Sequence, residues 1–204
     1  MKERLGIFGG TFNPIHFGHL IVAREALEEM KLDHVIFVPA NIPPHKNKSE
    51  IIDSRHRLKM IQLAIDTNKI FSVSAIELER SGKSYTVETL KSLKGLYEKS
   101  ELFFMIGADN LKDIKFWKDP EGILKEANLI ILARPGYMEY FKNPEKYFPF
   151  LTKDEFVKKV TVLSVTEIDI SSSHIRNRLF HREPVDYMVP EKVNEYIVEH
   201  GLYR

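Results

Sequence analysis

Hydrophobic residues along the chain alternate between short continuous runs and longer stretches in which apolar positions recur at a helical period. Five runs are about as long as a strand, apolar on both faces and rich in β-branched or aromatic residues. They cover residues 5–8, 35–38, 102–106, 129–132 and 160–165. Strands that are apolar on both faces are typical of a parallel sheet covered by helices. The runs therefore predict five buried parallel strands.

Between the runs, apolar residues recur every three or four positions, as on one face of an α-helix. Three such faces are Leu20-Ala23-Leu27-Met30, Leu58-Ile61-Ile65 and Val87-Leu90-Leu93-Tyr97. A last helix is predicted to begin at Pro190, a residue suited to the first helical turn, and to end before Gly201. Strands that alternate with helices over the whole length predict a doubly wound α/β domain.

One stretch, from about residue 135 to 159, interrupts this alternation and is rich in aromatic residues, prolines and lysines. We interpret it as an insertion, a loop or short helices at the edge of the sheet, within a single domain that spans residues 1–204. Its aromatic side chains would either pack beneath the insertion or form a surface for self-association, which leaves a homo-oligomer open.

Composition narrows the classes of protein. Apolar residues make up 43% of the chain and charged residues 29%, as in an ordinary soluble globular protein. The net charge of +1 does not point to a nucleic-acid partner or an anionic membrane surface. The absence of cysteine excludes disulfides, thiolate metal sites and a cysteine nucleophile. Because there is no signal-peptide core and no apolar window near ~20 residues, we expect a cytoplasmic protein that binds neither membrane nor nucleic acid.

The first candidate site is segment 9–19, Gly-Gly-Thr-Phe-Asn-Pro-Ile-His-Phe-Gly-His, which follows the first predicted strand and leads into a helix. A glycine-bearing turn between a strand and a helix suits a phosphate, since backbone N–H groups and the helix dipole favour an anion. The segment matches neither a Walker A loop nor the Gly-x-Gly-x-x-Gly fingerprint.

His16 and His19 distinguish this segment. Three positions apart at the start of a helix, they project from the same side, and imidazole N–H groups are good donors to the oxygens of a reacting phosphorus centre. Gly18 between them would leave space for a flat group against the backbone. The alternatives are a capping histidine, a core histidine or half of a metal site, the last weakened by the lack of cysteine and of a nearby acidic ligand. The strand–turn–helix setting favours the phosphate.

The second candidate site is segment 169–176, Asp-Ile-Ser-Ser-Ser-His-Ile-Arg, which follows an apolar strand and leads into a helical run. Its serines are N-cap candidates, their hydroxyls and the first-turn N–H groups form a second anion cradle, and Arg176 can reach back to a phosphate oxygen. Taken alone, an ordinary capped helix with a surface arginine explains it better. Together the two loops suit a triphosphate, attacked in line at its α-phosphorus with pyrophosphate leaving. That reaction needs positioning and charge stabilisation rather than a protein nucleophile.

Segments 10–19 and 170–176 resemble the paired motifs of the nucleotidyltransferase superfamily, Gly-x-Phe-x-Pro-x-His-x-Gly-His and Ile-Ser-Ser-Thr-x-(Ile/Val)-Arg. Over nearly its full length the chain is similar to the bacterial nicotinate-nucleotide adenylyltransferases within that superfamily. The interior stretches that carry this likeness are Pro-Pro-His-Lys at 43–46, Ser-Tyr-Thr-Val-Glu-Thr-Leu at 84–90, Ile-Gly-Ala-Asp at 106–109, Phe-Trp at 116–117 and Ala-Arg-Pro-Gly at 133–136. Ser173 stands where the family often has threonine, and it keeps the hydroxyl.

The resemblance implies a Rossmann-like parallel sheet with helices on both faces, and transfer of AMP from ATP to nicotinic acid mononucleotide. The residues it implies for catalysis are His16, His19 and Arg176. Those it implies for ATP binding are Gly9, Gly10, Thr11, Phe12, Gly18, Ile106, Gly107, Asp109, Ser171, Ser172 and Ser173. Those it implies for the acceptor are Asn13, Lys46, Thr86, Trp117 and Arg134. Mg²⁺ is expected to be carried by the ATP phosphates and water, without dedicated protein ligands.

Several alternatives stay open. Trp117 could be a core residue, Asp109 or Thr86 a helix cap, and Lys46 part of a solvated loop. The acceptor could be nicotinamide mononucleotide, because the sequence does not display the N–H donors and the charge of the pyridine pocket. Phosphopantetheine is a further alternative, although the enzymes that act on it lack the Ser-Tyr-Thr and Phe-Trp stretches. A nucleotide sensor that has lost turnover is the alternative from another class. The chain has no room for an anticodon domain and no basic surplus, so a tRNA-linked role is set aside.

Overall fold

The structure of the chain, a computed structural model, describes residues 2–42, 51–133 and 146–204, and within them six strands form one sheet. The strands are β1 (Arg4–Gly10), β2 (His34–Pro39), β3 (Phe71–Val73), β4 (Glu101–Gly107), β5 (Asn128–Ala133) and β6 (Val160–Ser164). Their order is β3-β2-β1-β4-β5-β6, and each neighbouring pair is parallel. The predicted doubly wound parallel sheet and its five predicted strands are confirmed.

The sixth strand, β3, was not predicted. Its three residues are too few to give a strand pattern, and only Phe71 among them is buried. It is a strand because its backbone pairs with β2, where Val35 lies opposite Phe71. Its existence therefore depends on the partner strand rather than on a period of its own.

Seven α-helices lie within the described residues. They are α1 (Phe17–Glu29), α2 (Ser54–Ile65), α3 (Thr86–Leu96), α4 (Pro120–Glu126), α5 (Lys153–Lys159), α6 (Ser172–Phe180) and α7 (Glu191–Glu199). Two short 3₁₀ helices, Ala108–Lys112 and Ile114–Phe116, follow β4. The helices predicted from periodicity are confirmed as α1, α2, α3 and α7, with Pro190 as the N-cap of α7. No helix in the described part of the chain is long and apolar enough to cross a bilayer.

Helices cover both faces of the sheet because successive strand residues point to opposite sides. On β4, Phe103 and Met105 belong to the core formed with α1, α2, α6 and α7. Phe104 and Ile106 belong to the core formed with α3 and α4. Phe148, from the aromatic stretch, is also buried in this second core. The described part of that stretch therefore contributes to packing.

The strands β1 and β4 are neighbours in the middle of the sheet although they are far apart in sequence. The chain leaves β1 into α1, in the first core, and leaves β4 into the 3₁₀ helices, in the second core. The crevice between the carboxyl ends of two such strands is where open α/β sheets bind ligands. Gly9 and Gly10 end β1 at this crevice, and Gly107 ends β4 there.

Helix α2 is capped by Asp53, whose carboxylate accepts a hydrogen bond from the backbone N–H of Arg55 (2.8 Å) and pairs with its guanidinium (2.8 Å). The hydrogen bonds from Arg55 lower the pKa of Asp53 to about 2. Since this folded-state pKa lies below the ordinary value of 3.8, the contribution to stability is present above that value. It is lost as the pH falls through about 2.

Asp53→Ala is expected to lower the free energy of unfolding by ~1 kcal/mol at neutral pH, and Tm by ~2–4 °C, because the first turn of α2 loses its cap. Asp53→Asn keeps a capping oxygen and is expected to lose less at neutral pH. Urea titrations at neutral pH and near pH ~3 measure both effects. An alanine variant as stable as the wild type at neutral pH would contradict a stabilising role for this cap.

Candidate active site

A cleft of about 1020 Å³ opens at the carboxyl ends of β1 and β4. Every predicted site residue in the described ranges lines it, namely Gly9, Gly10, Thr11, Phe12, Asn13, His16, Gly18, His19, Thr86, Ile106, Gly107, Asp109, Trp117, Ser171, Ser172, Ser173 and Arg176. Lys46 and Arg134 lie outside the described residues, so their place in the site stays a prediction. The cleft thus brings together segments from both ends of the chain.

The two histidines form a stacked pair at the start of α1. His16 is the N-cap residue, and its backbone N–H donates a hydrogen bond to Nδ1 of His19 (3.3 Å). The two imidazole centroids are 3.7 Å apart, and the Phe12 and His19 rings pack edge to face with their centroids 5.0 Å apart. Because a backbone N–H can only donate, Nδ1 of His19 must accept, and the proton of the neutral ring lies on Nε2. The helix start therefore sets the tautomer of His19.

The absence of a side chain at Gly18 leaves room for the His16 ring. A Cβ at residue 18 would lie 3.0 Å from Nδ1 and 3.1 Å from Cε1 of His16, closer than ordinary van der Waals contact. The space beside this glycine is thus shared with the buried imidazole, which the sequence did not reveal. Its predicted contact with ATP stays a prediction.

The second loop is bonded to the first. Ser171 caps α6 by accepting from the N–H of His174 (3.1 Å), and Ser172 Oγ donates to the carbonyl of Pro14 (2.8 Å). Arg176 Nη1 donates to the carbonyl of Asn13 (2.9 Å), while its Nη2 lies 3.4 Å from Ser173 Oγ. The two anion cradles inferred from sequence are therefore one unit, held together by direct bonds.

Asn13, predicted to contact the acceptor, is 3% exposed and has a structural role as well. Its Oδ1 accepts hydrogen bonds from the hydroxyl of Tyr203 (3.0 Å) and from the N–H of Ile52 (3.4 Å). Burial raises the pKa of Tyr203, so its hydroxyl remains a donor at neutral pH. The C-terminal residues thus fasten the first loop, and the acceptor contact of Asn13 stays a prediction.

At the end of β4, the carboxylate of Asp109 folds over Gly107. Its Oδ1 lies 2.3 Å from where a Cβ of residue 107 would be, so any side chain there would displace it. The Nδ2 of Asn110 donates to the same oxygen (3.2 Å). Asp109 is exposed and lines the cleft, which leaves its carboxylate accessible to hydroxyl donors.

The start of α3 and two adjacent aromatic residues also line the cleft. Thr86 is the first residue of α3, whose N-cap Tyr85 makes no side-chain capping bond within the described structure. Phe116 lines the cleft and is 72% exposed. Trp117 is half-buried and packs edge-on against Phe104, with centroids 6.2 Å apart. Both rings therefore line the cleft, and the predicted stacking of Trp117 on the acceptor stays a prediction.

The prediction that Mg²⁺ is carried by the ATP phosphates, without dedicated protein ligands, stays a prediction. Across residues 2–42, 51–133 and 146–204, no group of three or more His, Asp or Glu side chains is placed to hold a metal ion.

The chain is similar to known proteins both in sequence and in fold. A family model described as cytidylyltransferase-like matches residues 7–178. The nicotinate-nucleotide adenylyltransferase of Bacillus subtilis (strain 168) is 40% identical over 201 residues, which cover 98% of each chain. A Carboxydothermus hydrogenoformans protein named probable nicotinate-nucleotide adenylyltransferase is 44% identical over 202 residues, again 98% of each. Among solved structures, Plasmodium falciparum nicotinic acid mononucleotide adenylyltransferase complexed with NaAD has a TM-score of 0.74 at 21% identity, over 98% of this chain and 97% of that one. At that identity the structural likeness supports the fold.

Proposed function

The chain belongs to the nicotinate-nucleotide adenylyltransferase family of cytidylyltransferase-like proteins, and on that premise we propose that it transfers AMP from ATP to nicotinic acid mononucleotide. The products are nicotinic acid adenine dinucleotide and pyrophosphate, a step of NAD biosynthesis. The observation that carries the proposal is that one cleft holds the histidine pair of α1, the serine-capped start of α6 and the start of α3 beside two aromatic rings. The histidine pair and the start of α6 suit a triphosphate, and the start of α3 with its aromatic neighbours suits the acceptor. We call these two parts of the cleft the triphosphate end and the acceptor end.

In the proposed reaction, a phosphate oxygen of the acceptor attacks the α-phosphorus of ATP, the bond from that phosphorus to the bridging oxygen breaks, and pyrophosphate leaves. His19 donates its Nε2–H to a non-bridging oxygen of the α-phosphate as charge is redistributed. The bond from the His16 N–H to Nδ1 supports this role, since it keeps the donor proton on Nε2. The stacked ring of His16 restricts rotation of His19.

The start of α6 suits the leaving pyrophosphate. The first-turn N–H groups and the helix dipole favour an anion, and a guanidinium has five N–H donors. Arg176 uses Nη1 for the carbonyl of Asn13 and has further donors for phosphate oxygens. Arg176 therefore connects the first loop to the proposed phosphate site.

The nucleoside of ATP is proposed to lie at the end of β4, with the ribose hydroxyls donating to Asp109. The absence of a side chain at Gly107 leaves the Asp109 carboxylate its position over the backbone. Ile106 and Gly107 line the cleft beside it and provide a flat backbone surface.

The acceptor end favours a carboxylate on the pyridine ring. The first N–H groups of α3, at Thr86 and the residue after it, have no helical acceptor of their own, and they lie at the positive end of the helix dipole. Nicotinate supplies an anion to these donors, whereas nicotinamide supplies a neutral amide that also carries donors. This difference supports nicotinic acid mononucleotide over its amide as the acceptor.

The remaining parts of the proposal rest on the family resemblance. Mg²⁺ would enter on the ATP phosphates with water and would neutralise phosphate charge. Lys46 and Arg134 would add cations for the triphosphate and the acceptor phosphate. A cytoplasmic location, the oligomeric state and the absence of a nucleic-acid partner remain predictions.

The proposal is tested by pyrophosphate release from MgATP with nicotinic acid mononucleotide, nicotinamide mononucleotide or phosphopantetheine as the acceptor. Release with nicotinic acid mononucleotide, at a kcat/KM above that of the other two, is expected. Preference for another acceptor would overturn the assignment of the pyridine pocket. Tight ATP binding without release with any acceptor would favour a nucleotide sensor.

The two aromatic residues of the acceptor end can be separated by mutation. Phe116→Ala is expected to raise the KM for nicotinic acid mononucleotide by about tenfold, since stacking on an aromatic ring contributes ~1–3 kcal/mol. The KM for ATP should not change. Trp117→Ala is expected chiefly to lower Tm, because its ring packs against Phe104. Steady-state kinetics and thermal melts of both variants measure this, and a larger effect of Trp117→Ala on the acceptor KM would assign the stacking role to Trp117.

A further inference from the structure

A buried arginine lies behind the first loop. Arg57, in the first turns of α2, is 1% exposed and shares the buried face of the helix with Met60 and Ile61. Burial lowers the pKa of Arg57, but a guanidinium remains charged at neutral pH. Placing a charge in a core costs free energy unless hydrogen bonds compensate for the lost water. The groups that accept hydrogen bonds from the Arg57 guanidinium therefore indicate the role of this buried charge.

Those partners are backbone carbonyls from three separate segments. Arg57 Nη1 donates to the carbonyl of Thr11 (2.8 Å), Nη2 to that of Asn41 (3.2 Å) and Nε to that of Ile52 (3.2 Å). Thr11 belongs to the glycine-bearing loop that lines the triphosphate end of the cleft. One side chain thus fixes that loop relative to Asn41, which follows β2, and relative to Ile52, which precedes α2.

The contact with Asn41 continues towards the acceptor end. The Nδ2 of Asn41 donates to the carbonyl of Arg80 (2.9 Å), and its backbone N–H donates to Ser84 Oγ (2.9 Å). Ser84 lines the cleft and lies two residues before Thr86, the first residue of α3. A continuous series of hydrogen bonds therefore runs from the triphosphate loop through Arg57 and Asn41 to the acceptor pocket.

We propose that Arg57 is a positioning residue that holds the triphosphate loop and the acceptor pocket at the distance at which the two substrates react. The reaction has no protein nucleophile, so its rate depends on how accurately the acceptor oxygen is aligned with the α-phosphorus. Fixing the carbonyl of Thr11 also fixes the direction of the Phe12 N–H, because the two groups of a trans peptide point in opposite directions. The part of this inference that concerns the acceptor rests on the proposed function. The part that concerns ATP rests only on the hydrogen bond between Arg57 and the triphosphate loop.

The test compares Arg57→Lys with Arg55→Gln. Arg57→Lys keeps the charge but replaces the planar guanidinium by a single ammonium, which cannot bind three separated carbonyls in the same way. Arg55 is the matched control, since it lies in the same helical turn, is exposed and pairs only with its neighbour Asp53 in the described bonds. MgATP binding by calorimetry, the steady-state kinetics with nicotinic acid mononucleotide and Tm are measured for both.

We expect Arg57→Lys to lose about tenfold in kcat per folded molecule and to raise the KM of both substrates, with weaker MgATP binding. Arg55→Gln should stay within about twofold of the wild type in kcat, in both KM values and in MgATP affinity. A merely structural role would lower Tm and leave kcat per folded molecule and both KM values unchanged, and that result would overturn the proposal. If the wild type releases no pyrophosphate with this acceptor, the proposed function fails. The role of Arg57 in positioning the ATP loop is then tested by MgATP binding alone, and unchanged binding by Arg57→Lys would overturn it.

Ser84→Ala carries the test if Arg57→Lys does not fold. It removes the hydroxyl that accepts a hydrogen bond from the backbone N–H of Asn41 and leaves Arg57 in place, and Ser84 is only half-buried. The KM for the acceptor should rise by about threefold or more, with the KM for ATP within about twofold of the wild type. An unchanged acceptor KM would overturn the proposed connection.

Discussion

His19→Ala is expected to lower kcat by about 10²-fold or more, because it removes a preorganised donor to the α-phosphate at the moment its charge is redistributed. The KM for ATP should change much less, since a group that acts in the transition state contributes little to ground-state binding. The ring is half-buried and its neighbours Phe8 and Phe12 pack against each other, so Tm should fall only modestly. Single-turnover measurements with saturating MgATP report the chemical step directly.

His174→Ala is the control for this variant. His174 lies in α6 close to the second loop, is exposed and does not line the cleft. Its removal should leave kcat within about twofold of the wild type. A loss of less than about threefold in His19→Ala would show that the imidazole is not a transition-state donor. The hydrogen bond from the His16 N–H would then be an ordinary helix cap.

Arg176→Gln is expected to reduce kcat/KM for ATP by about 10²-fold, through a higher KM and a lower kcat. Glutamine can still donate hydrogen bonds through its amide, but it loses the positive charge that faces the pyrophosphate. Arg178→Gln, two residues further along the same helix, is the matched control. Arg178 pairs with Glu183 (3.3 Å) and donates to the carbonyl of Pro184 (2.8 Å). Its loss should affect stability slightly and kinetics not at all.

Ser172→Ala separates the two roles of Arg176. Arg176 binds the carbonyl of Asn13 as well as the proposed phosphates, whereas Ser172 bridges to the neighbouring carbonyl of Pro14 and carries no charge. If charge dominates, Ser172→Ala should cost no more than about tenfold in kcat/KM for ATP. Equal losses in Ser172→Ala and Arg176→Gln would instead show that the bridges between the loops carry the effect. Both variants are compared by initial rates at varied MgATP.

The sequence predicted most of the sheet because buried parallel strands are apolar on both faces and so leave a continuous pattern. It also placed the two loops on the ends of strands, and the cleft contains both. The helices with a clear apolar stripe, such as α3 with Val87, Leu90 and Leu93, were predicted for the same reason. Short elements such as β3 were missed, since three residues do not contain a period.

The sequence by itself determined which segments are strands and helices, and which of them carry groups suited to phosphate, because these properties depend on neighbours along the chain. The tertiary structure decided how those segments are fastened. A basic residue in a charged helical stretch, Arg57, is buried because its guanidinium meets the carbonyl of the neighbouring Ile52 and two carbonyls from segments further away in sequence. The half-buried position of Trp117 likewise depends on Phe104, a residue of β4 that no local pattern connects to it. Contacts between residues far apart in sequence have no period, and for that physical reason they become visible only when the chain is folded.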